Sequence, residues 1–479
     1  MKPIKPLTAI LLLYMASAMP ITPAATAEDI CVNTTGWWHQ NGAFNASTTP
    51  IQHGIDNATA GDTINVSAGL YTEEVVINKS LTMLGAMAGI DPRGGARTEG
   101  SASETVIDGE ATRSNGVWIQ GVDSSRVTNV TVDGFEIYNV TYANIRLDYA
   151  GNVTIRNTMV HHCTTNEGIK TKASCDTLIF RHVISHNNKG DGIDLAYGTQ
   201  ENHVIEDCEF YDNFDRGIKL DETSNCTIRR CKCYGNLGTV SDWHQGGIIT
   251  YKCTGTTLSG NECFDNAGSG IHIYKENYDG TTSSSVSGGC CCNNTQGPGG
   301  TTSGDGLRLY LSRNVTVDGV ESYSNARRGI CVGTIGRYGD LGGTEPCRDN
   351  TLTNNNLHDN SDAGMAFEGI GTSGCKAYYN TLADNIQNGL DNSNASANLW
   401  DNDVDTGNAW GDFSSNAGYP TSYEVSGTAG SIDHYPTGIE GSEPPVEVPA
   451  MTQPVFLLVL ISLFGLGMTA IMRMNKEGR

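Results

Sequence analysis

The sequence predicts an all-β fold: a right-handed parallel β-helix of three sheets, with an N-terminal capping helix and a C-terminal transmembrane helix. The first observation is a frame, Gly-[Ile/Leu/Met]-x-apolar, that recurs with a base period of about 24 residues at Gly168, Gly192, Gly217, Gly247, Gly270, Gly306, Gly329 and Gly364, more weakly at Gly389. The second is a strand-like stretch beside each frame, such as "NVTIRN" or "NHVIED". Such a period without helical segments indicates a solenoid whose coils bury their apolar residues by stacking.

Asparagine and cysteine follow the same frame. Asn stands four residues before many of the glycines, at Asn188, Asn213, Asn266, Asn325, Asn360 and Asn385. Because Asn tolerates left-handed turns and its amide can bond to the same group one coil away, this column predicts an Asn ladder. Several of the 15 Cys fall in one strand of successive coils: Cys208, Cys231, Cys233, Cys263 and Cys290 to Cys292. We expect mostly reduced, buried thiols that fill the interior, with some disulfides as the alternative.

The solenoid needs covered ends. The segment Thr48 to Ala86 begins with a predicted short helix whose Ile51, Ile55 and Ala58 share one face and would cover the first coil. An aromatic-rich segment that breaks the period, Asn408 to Pro436, is predicted to close the last coil. The predicted domains are therefore a β-helix with its N-terminal cap at 28–403 and a C-terminal cap at 404–436.

Both termini indicate export and anchoring. Residues 1–27 have the charged start, apolar run and small-residue end of a secretory signal. Residues 437–454 form a Pro- and Glu-rich stalk, residues 455–472 an uncharged run long enough to span a bilayer, and residues 473–479 a basic cytoplasmic tail. Glycosylation sequons such as those at Asn33 and Asn314 fit a body outside the cell.

The charge restricts the partners. The formal net charge is −23, so no basic surface for nucleic acid is expected. The same charge opposes binding of a polyanion unless a bound cation intervenes.

A column of charged residues is the main candidate site. Strands alternate faces, so the third residue of each frame points away from the core. Down the stack this position reads Arg146, Lys170, Asp194, Lys219, Ile249, His272, Arg308, Cys331 and Ala366. The residue before each glycine reads Glu167, Asp191, Arg216, Gly246, Ser269, Asp305, Arg328 and Ala363. Coils lie about 4.8 Å apart, and this face is predicted to meet water or a ligand.

Two interpretations of the column compete. Alternating signs would form an ion-pair ladder, each step worth at most about 1 kcal/mol. Alternatively, Glu167, Asp191 and Asp194 would share a cation such as Ca²⁺, which prefers oxygen ligands. Lys219, with Arg216 beside it, would then remove a proton α to a uronate carboxylate.

Further candidates lie around this column. Insertions occur at "LGTVSDWHQ", "GPGGTTSGD" and "RYGDLGGTEPCRD", and the first is predicted to overhang the column. Candidate ligand-binding residues are Lys170, Trp243, His244, His272, Asp305 and Arg308. Histidines at 161, 162, 182 and 186 are potential metal ligands across coils, although turn and surface histidines are commoner.

The entry segment "IQHGIDNATAGDTINVSAGLY", the frame N-x-x-x-G-I-x-L and the closing "GYP" and "YP" motifs resemble NosD-like, CASH-type β-helix proteins of the pectin-lyase-like superfamily, found on methanogenic archaea. The resemblance implies a β-helix from about Thr48 to Pro436. The column is also similar to the family-nine pectate lyases, which implies Ca²⁺ ligands at Glu167, Asp191 and Asp194 and a base at Lys219. Gly190 stands where that family has a further Asp.

These observations predict a membrane-anchored, extracellular β-helix protein of the cell envelope, structural or adhesive, with polysaccharide as its partner. One alternative is a Ca²⁺-dependent polyuronate lyase. A second, implied by the NosD resemblance, is a periplasmic metal-site maturation factor.

Overall fold

The computed structural model describes residues 28–238, 245–297, 304–333, 347–369, 371–393 and 397–439, and these form a parallel β-solenoid. The coils stack three ladders of strands, named here sheets I, II and III. The predicted all-β solenoid is confirmed. The signal segment, Trp243 and His244, the centres of the insertions and the apolar run 455–472 lie outside the described residues.

Sheet I carries the repeated frame. It has 12 parallel strands: Val75–Ile77, Asn115–Gln120, Ala143–Asp148, Ile169–Thr171, Ile193–Leu195, Ile218–Asp221, Gly246–Tyr251, Ser269–Tyr274, Leu307–Tyr310, Ile330–Gly333, Ala363–Glu368 and Gln387–Asn392.

Sheets II and III join because Ala150–His161 and Cys175–His186 each run through both. The other strands of sheet II are Asp29–Asn33, Thr63–Val66, Leu81–Leu84, Val127–Asp133, Val204–Glu206, Thr227–Arg229, Thr257–Ser259, Ser284–Ser287, Val315–Asp318, Thr351–Thr353 and Lys376–Tyr378. Those of sheet III are Gly69–Tyr71, Thr105–Asp108, Phe135–Tyr138, Glu209–Tyr211, Lys232–Tyr234, Glu262–Phe264, Cys290–Cys292, Glu321–Tyr323, Asn356–His358, Thr381–Ala383, Ala409–Trp410 and Thr437–Gly438.

Short elements complete the fold. Two strands, Gly36–His39 and Asn45–Ala46, add to the start of sheet II in antiparallel fashion. Gln200–Glu201 and Thr223–Ser224 pair beside sheet II, and Tyr423–Glu424 pairs with Ile432–Asp433. The 3₁₀ turns are Arg93–Gly95 and Phe413–Ser415.

From Gly168 to Gly364 the glycines of the frame form one column, as predicted, whereas Gly389 pairs with Met365 and Asn388 takes the glycine position of the last coil. A Cβ placed on Gly192 would lie 2.7 Å from the carbonyl oxygen of Gly217, and the same close approach recurs from Gly168 to Gly329. A side chain added at these glycines would collide with the next coil unless the backbone shifted. Ile193 and Leu195 on either side of the outward residue are fully buried.

The Asn ladder is also present, with one correction. Each ladder Asn donates its amide to the side-chain oxygen of the next, for example Asn188 to Asn213 at 3.0 Å and Asn213 to Asn236 at 3.1 Å. The left-handed residue, however, is the one before the ladder Asn, such as Asn187 or Asp212. The ladder residue itself is buried, and its amide satisfies strand carbonyls inside the turn.

The N-terminal helix is α1 (Pro50–Asn57), whose Ile51 and Ile55 are buried. The Glu73 carboxylate accepts the first free backbone N–H groups, from Ile51 and Gln52. The Gln52 side chain exchanges hydrogen bonds with the backbone of Val76, in the first strand of sheet I. The sequence predicts that this helix covers the first coil. In the structure, however, Asp29–Asn33 adds a further strand to sheet II before the helix, so the helix is not the end of that sheet.

The aromatic-rich end packs on the last coils. Trp400 and Trp410 are fully buried, and Trp410 stacks on Tyr423 with ring centroids 3.8 Å apart. Both indole N–H groups donate to buried carboxylates, Trp400 to Asp391 and Trp410 to Asp433. Among the described residues, no helix has the length and apolar character that crossing a bilayer requires.

All 15 cysteines are free, and all but Cys31 and Cys290 are buried. Cys233, Cys263 and Cys291 occupy the same register position in adjacent strands of sheet III. The expected burial of the cysteines in the interior is confirmed, and their reduced state stays a prediction.

Candidate functional site

The charged column of sheet I lies in the predicted register. Arg146 pairs with Lys170, Lys170 with Asp194 and Asp194 with Lys219 across successive strands. The expectation that these side chains face water is wrong for Lys170 and Asp194, which are buried. The physical reason is that the ammonium groups of Lys170 and Lys219 turn onto the Asp194 carboxylate between them instead of extending into solvent.

Three carboxylates meet beside this column. Ligand atoms of Glu167, Asp191 and Asp194 all lie within 4.8 Å of one another, so the structure brings the predicted trio together. The Lys170 ammonium lies 2.8 Å from Glu167 Oε1 and 3.3 Å from Asp194 Oδ2. Lys170 therefore already neutralises part of the trio.

Lys219 and Arg216 complete the cluster from the following coil. Lys219 Nζ lies 3.3 Å from Asp194 Oδ1 and 3.4 Å from Asp221 Oδ2. Arg216 Nη1 lies 3.4 Å from Asp191 Oδ1 and 2.8 Å from Asp215 Oδ2. We call these eight residues, Glu167, Lys170, Asp191, Asp194, Asp215, Arg216, Lys219 and Asp221, the ionic cluster. Its five carboxylates face three cationic groups.

Burial and neighbouring charges set the protonation of the cluster. Burial disfavours the ammonium of Lys219, but the carboxylates of Asp194, Asp191 and Asp221 outweigh it and raise the pKa of Lys219 above its usual value. Burial, helped by Asp215 and Asp194, raises the pKa of Asp191 well above that of an ordinary carboxyl. Lys219 is thus held charged, which suits ion pairing and opposes a role as general base.

The carboxylate oxygens of Glu167, Asp191 and Asp194 are the kind of ligand that a hard cation prefers. Ca²⁺ takes carboxylate oxygens, and the trio supplies them. Oε2 of Glu167 is buried without a hydrogen-bond partner among the described residues. The formal charge of −2 left on the fully ionised cluster is what one divalent cation would balance. Such an ion would compete with Lys170 for Glu167 and Asp194.

The remaining predicted residues form a second cluster. Ile249 is buried and separates Lys219 from His272 and Arg308 along the column. Asp305 Oδ2 lies 3.2 Å from Arg327 and 3.9 Å from Arg308, and the Arg308 guanidinium lies over the Tyr310 ring. His272, Asp305 and Arg308 are therefore not part of the ionic cluster, and they are buried instead of lining an open groove.

The sequence analysis did not predict the aromatic residues Trp118 and Tyr197 beside the ionic cluster, here called the aromatic flank. The Arg146 guanidinium lies 4.3 Å from the Trp118 ring centroid, and Lys172 lies 4.2 Å from that of Tyr197, whose exposed fraction is 49%. Trp118 occupies the charged column one coil before Arg146. The signal was present as Gly116-Val117-Trp118-Ile119, but Val stands where the frame was sought with Ile, Leu or Met.

Comparisons with known proteins agree with the fold. The family model for a right-handed β-helix region matches residues 90–233, and that of the periplasmic copper-binding protein NosD matches residues 191–297. The solenoid is thus right-handed, and the NosD-like resemblance is confirmed. No curated protein sequence matches the chain.

Solved structures give weaker likenesses. The A-module of the mannuronan C-5 epimerase AlgE4 from Azotobacter vinelandii is 18% identical with a TM-score of 0.46, over 70% of this chain and 89% of that one. A DFA-IIIase from Arthrobacter chlorophenolicus A6, solved without its lid, is 12% identical with a TM-score of 0.46, over 72% and 88%. Pectate lyase Pel9A is 13% identical with a TM-score of 0.36, over 79% and 81%. None of these likenesses assigns a substrate or a residue role to this chain.

Proposed function

We propose that this protein is an anchored β-solenoid of the outer face of the cell membrane that binds acidic polysaccharide, with Ca²⁺, along sheet I. The observation that carries the proposal is the aromatic flank beside the ionic cluster. Binding sites combine aromatic faces with a few placed polar groups. Trp118 and Tyr197 supply the aromatic faces, and Lys172 and Arg146 supply the polar groups.

A cation resolves the charge problem of this site. The chain carries −23 overall, so a polyuronate would be repelled from its surface. An ion held by Glu167, Asp191 and Asp194 would neutralise the carboxylates and present a positive charge to the carboxylate of a sugar. The side chains of this chain would then orient the polymer: aromatic rings against the sugar faces, and Lys172 and Arg146 against further carboxylates.

The proposed location has separate support. Residues 1–27 and 455–472 have the composition of a secretory signal and of a membrane anchor. The NosD model that matches residues 191–297 describes a periplasmic protein. Both agree with a solenoid that works outside the cytoplasm.

Retention on a polygalacturonate matrix tests the proposal. The purified full-length chain should be retained in Ca²⁺ and released by a chelator, whereas a neutral glucan matrix should not retain it in either condition. Tyr197→Ala should weaken retention because it removes an exposed aromatic face, and Tyr379→Ala, an exposed tyrosine near the other end of the solenoid, should not. Equal retention with and without Ca²⁺ would refute the proposal.

A polyuronate lyase is the second candidate, favoured by the proximity of Lys219 to the carboxylate trio. The reaction would require neutral Lys219 to take the proton α to the uronate carboxylate. The surrounding carboxylates favour the charged form, so ligand or cation binding would first have to lower the pKa of Lys219. Release of unsaturated, ultraviolet-absorbing products that Lys219→Met abolishes would favour the lyase over a binding protein.

A further inference from the structure

A column of planar rings runs along sheet III, whereas the frame residues belong to sheet I. One ring per coil stacks on the next with centroids 4.7–5.0 Å apart. The rings belong to Tyr138, His161, His186, Tyr211, Tyr234 and Phe264. A phenol or phenyl ring satisfies the stacking at four of these six positions, so stacking alone does not require imidazole at the other two.

The two imidazoles meet a carboxylate from a different part of the chain. Glu99 lies in the segment between Leu84 and Thr105, and its Oε1 is 2.7 Å from His186 Nε2 while its Oε2 is 3.9 Å from His161 Nε2. The donor atoms of Glu99, His161 and His186 all lie within 4.8 Å of one another. One carboxylate thus spans the Nε2 atoms of two adjacent coils.

A fourth donor and outer contacts surround this group. Oε1 of the buried Glu136 lies 3.2 Å from His161 Nε2, and its Oε2 accepts the backbone N–H of Gly100. The outer ring nitrogens are engaged as well, Nδ1 of His161 with His162 and Nδ1 of His186 with Asn187. In metal-binding histidines the second ring nitrogen keeps its hydrogen and donates it to a neighbouring acceptor, which at His186 requires the Asn187 amide to turn its oxygen toward Nδ1.

We propose that Glu99, His161 and His186, with Glu136 beside them, bind a divalent transition-metal ion of the zinc type. Two imidazole nitrogens and a carboxylate are a donor set that Zn²⁺ prefers and Ca²⁺ does not. The site differs from the ionic cluster of sheet I in sheet, residues and donor chemistry. It also lies outside residues 191–297, so the NosD match contributes nothing to it.

The ion would fasten an exposed loop to the solenoid. Glu99 is 41% exposed and belongs to the segment that passes over sheet III, whereas both histidines are buried in strands. A cleft of about 430 Å³ lies beside Glu99, lined in part by Arg93, Met159 and Tyr211, and gives solvent access to the group. Metal binding would therefore stabilise the contact between this loop and the ring column, as ligands that bind only the folded state do.

Titration with Zn²⁺ alone tests the proposal. The tag-free full-length chain, freed of metal by chelation, should bind one Zn²⁺ at this site, and excess Ca²⁺ should not compete. His186→Tyr keeps a stacking ring of the kind found at Tyr211, and Glu99→Gln changes an exposed side chain without altering its size. Each should lower Zn²⁺ affinity by at least about 100-fold and remove the rise in melting temperature that Zn²⁺ gives the unaltered chain.

The chain offers a matched control. His358 stacks on Tyr323 at the corresponding position of sheet III and lies near Asp359 and Glu321, and its strand neighbours in the described residues are Tyr323 and Ala383, neither of them histidine. His358→Tyr should leave Zn²⁺ affinity within about threefold of the starting value. Absence of saturable Zn²⁺ binding, or unchanged affinity in Glu99→Gln and His186→Tyr, would overturn the proposal.

Discussion

Lys219 Nζ lies 3.3 Å from Oδ1 of Asp194, across one step between coils, while Lys170 reaches the other oxygen of the same carboxylate from the opposite side. Asp194 is therefore enclosed between two ammonium groups. The repeated frame sets the backbone of both coils, and the reversal of charge from Asp194 to Lys219 is what lets the two stack. The Asp194–Lys219 ion pair stabilises the contact between coils, and Asp194 also belongs to the carboxylate trio that could hold a cation.

The two lysines should differ in their contribution to stability. Lys170→Met leaves Glu167 and Asp194 buried with one counter-ion fewer each, and should lower the free energy of unfolding by about 3 kcal/mol. Lys219→Met should cost about 1 kcal/mol, because Lys219 is one-fifth exposed and Asp194 keeps Lys170. Denaturant unfolding of both variants measures the difference. Equal losses would contradict the assigned pairing.

Asp191 should give a pH-dependent effect. Its pKa is raised in the folded state, so the native protein holds that proton more tightly than the unfolded chain does. Stability is greatest below the unfolded pKa near 3.8 and falls as pH rises through the folded pKa, where the buried carboxylate must ionise. Without added Ca²⁺, Asp191→Asn should therefore stabilise the protein at neutral pH, and this gain should vanish below about pH 4.

The matched variant is Asp194→Asn, which removes the partner of Lys170 and Lys219 and should destabilise at neutral pH. Thermal melts from pH 3 to pH 8 separate the two. A neutral-pH loss of stability in Asp191→Asn would show that its bonds to Arg216 outweigh its burial.

The Asn ladder should contribute strongly to stability. The Asn236 amide donates to Asn266 Oδ1 and to the Phe210 carbonyl, and its oxygen accepts from Asn213. Asn236→Ala leaves these buried groups without partners and should cost about 2–4 kcal/mol. The exposed Asn356 is the control, and its replacement by Ala should change stability by less than about 0.5 kcal/mol. Similar costs for both would mean that the ladder does not bind the coils together.

Thiol reactivity should report the packed interior. Burial raises the pKa of Cys175 and Cys347 to about 12, which leaves them protonated and unreactive at neutral pH. A charged thiol reagent should label at most Cys31 and Cys290 in the native protein and all 15 cysteines after unfolding. Fewer than 15 labelled thiols in unreduced, unfolded protein would reveal disulfides.

The sequence predicts the frame of the solenoid well because the frame is set by short-range sterics. A Cβ on Gly192 would lie 2.7 Å from the Gly217 carbonyl oxygen of the next coil, and this constraint recurs in most coils. The ladder prediction did not include Asn236 and Asn294, because insertions separate them from the glycines of their coils. Their side chains nevertheless make the same ladder hydrogen bonds as the predicted asparagines. The coil of Ala143–Asp148 departs from the frame, since Asn144 stands at the glycine position, as Asn388 does in the last coil.

The site was predictable only in part. Glu167, Asp191 and Asp194 meet because strand register places them together, and register follows from the repeat. Burial of the column does not follow from it, because it depends on the directions in which Lys170 and Lys219 bend. The contact of Glu99 with the histidines could not be predicted, because Glu99 lies in an irregular segment outside the repeat, and the repeat does not determine how that segment passes over sheet III.

The most direct test of the central claim is the affinity of the full-length chain for a soluble oligogalacturonate, measured by calorimetry with Ca²⁺ and with chelator. Because coupling between two ligands is reciprocal, the oligogalacturonate should also tighten Ca²⁺ binding by the same factor. We predict an affinity at least about tenfold higher in Ca²⁺, lost in Glu167→Gln and retained in the exposed control Glu262→Gln. An affinity that is unchanged by Ca²⁺, or equally affected in both variants, would contradict the account.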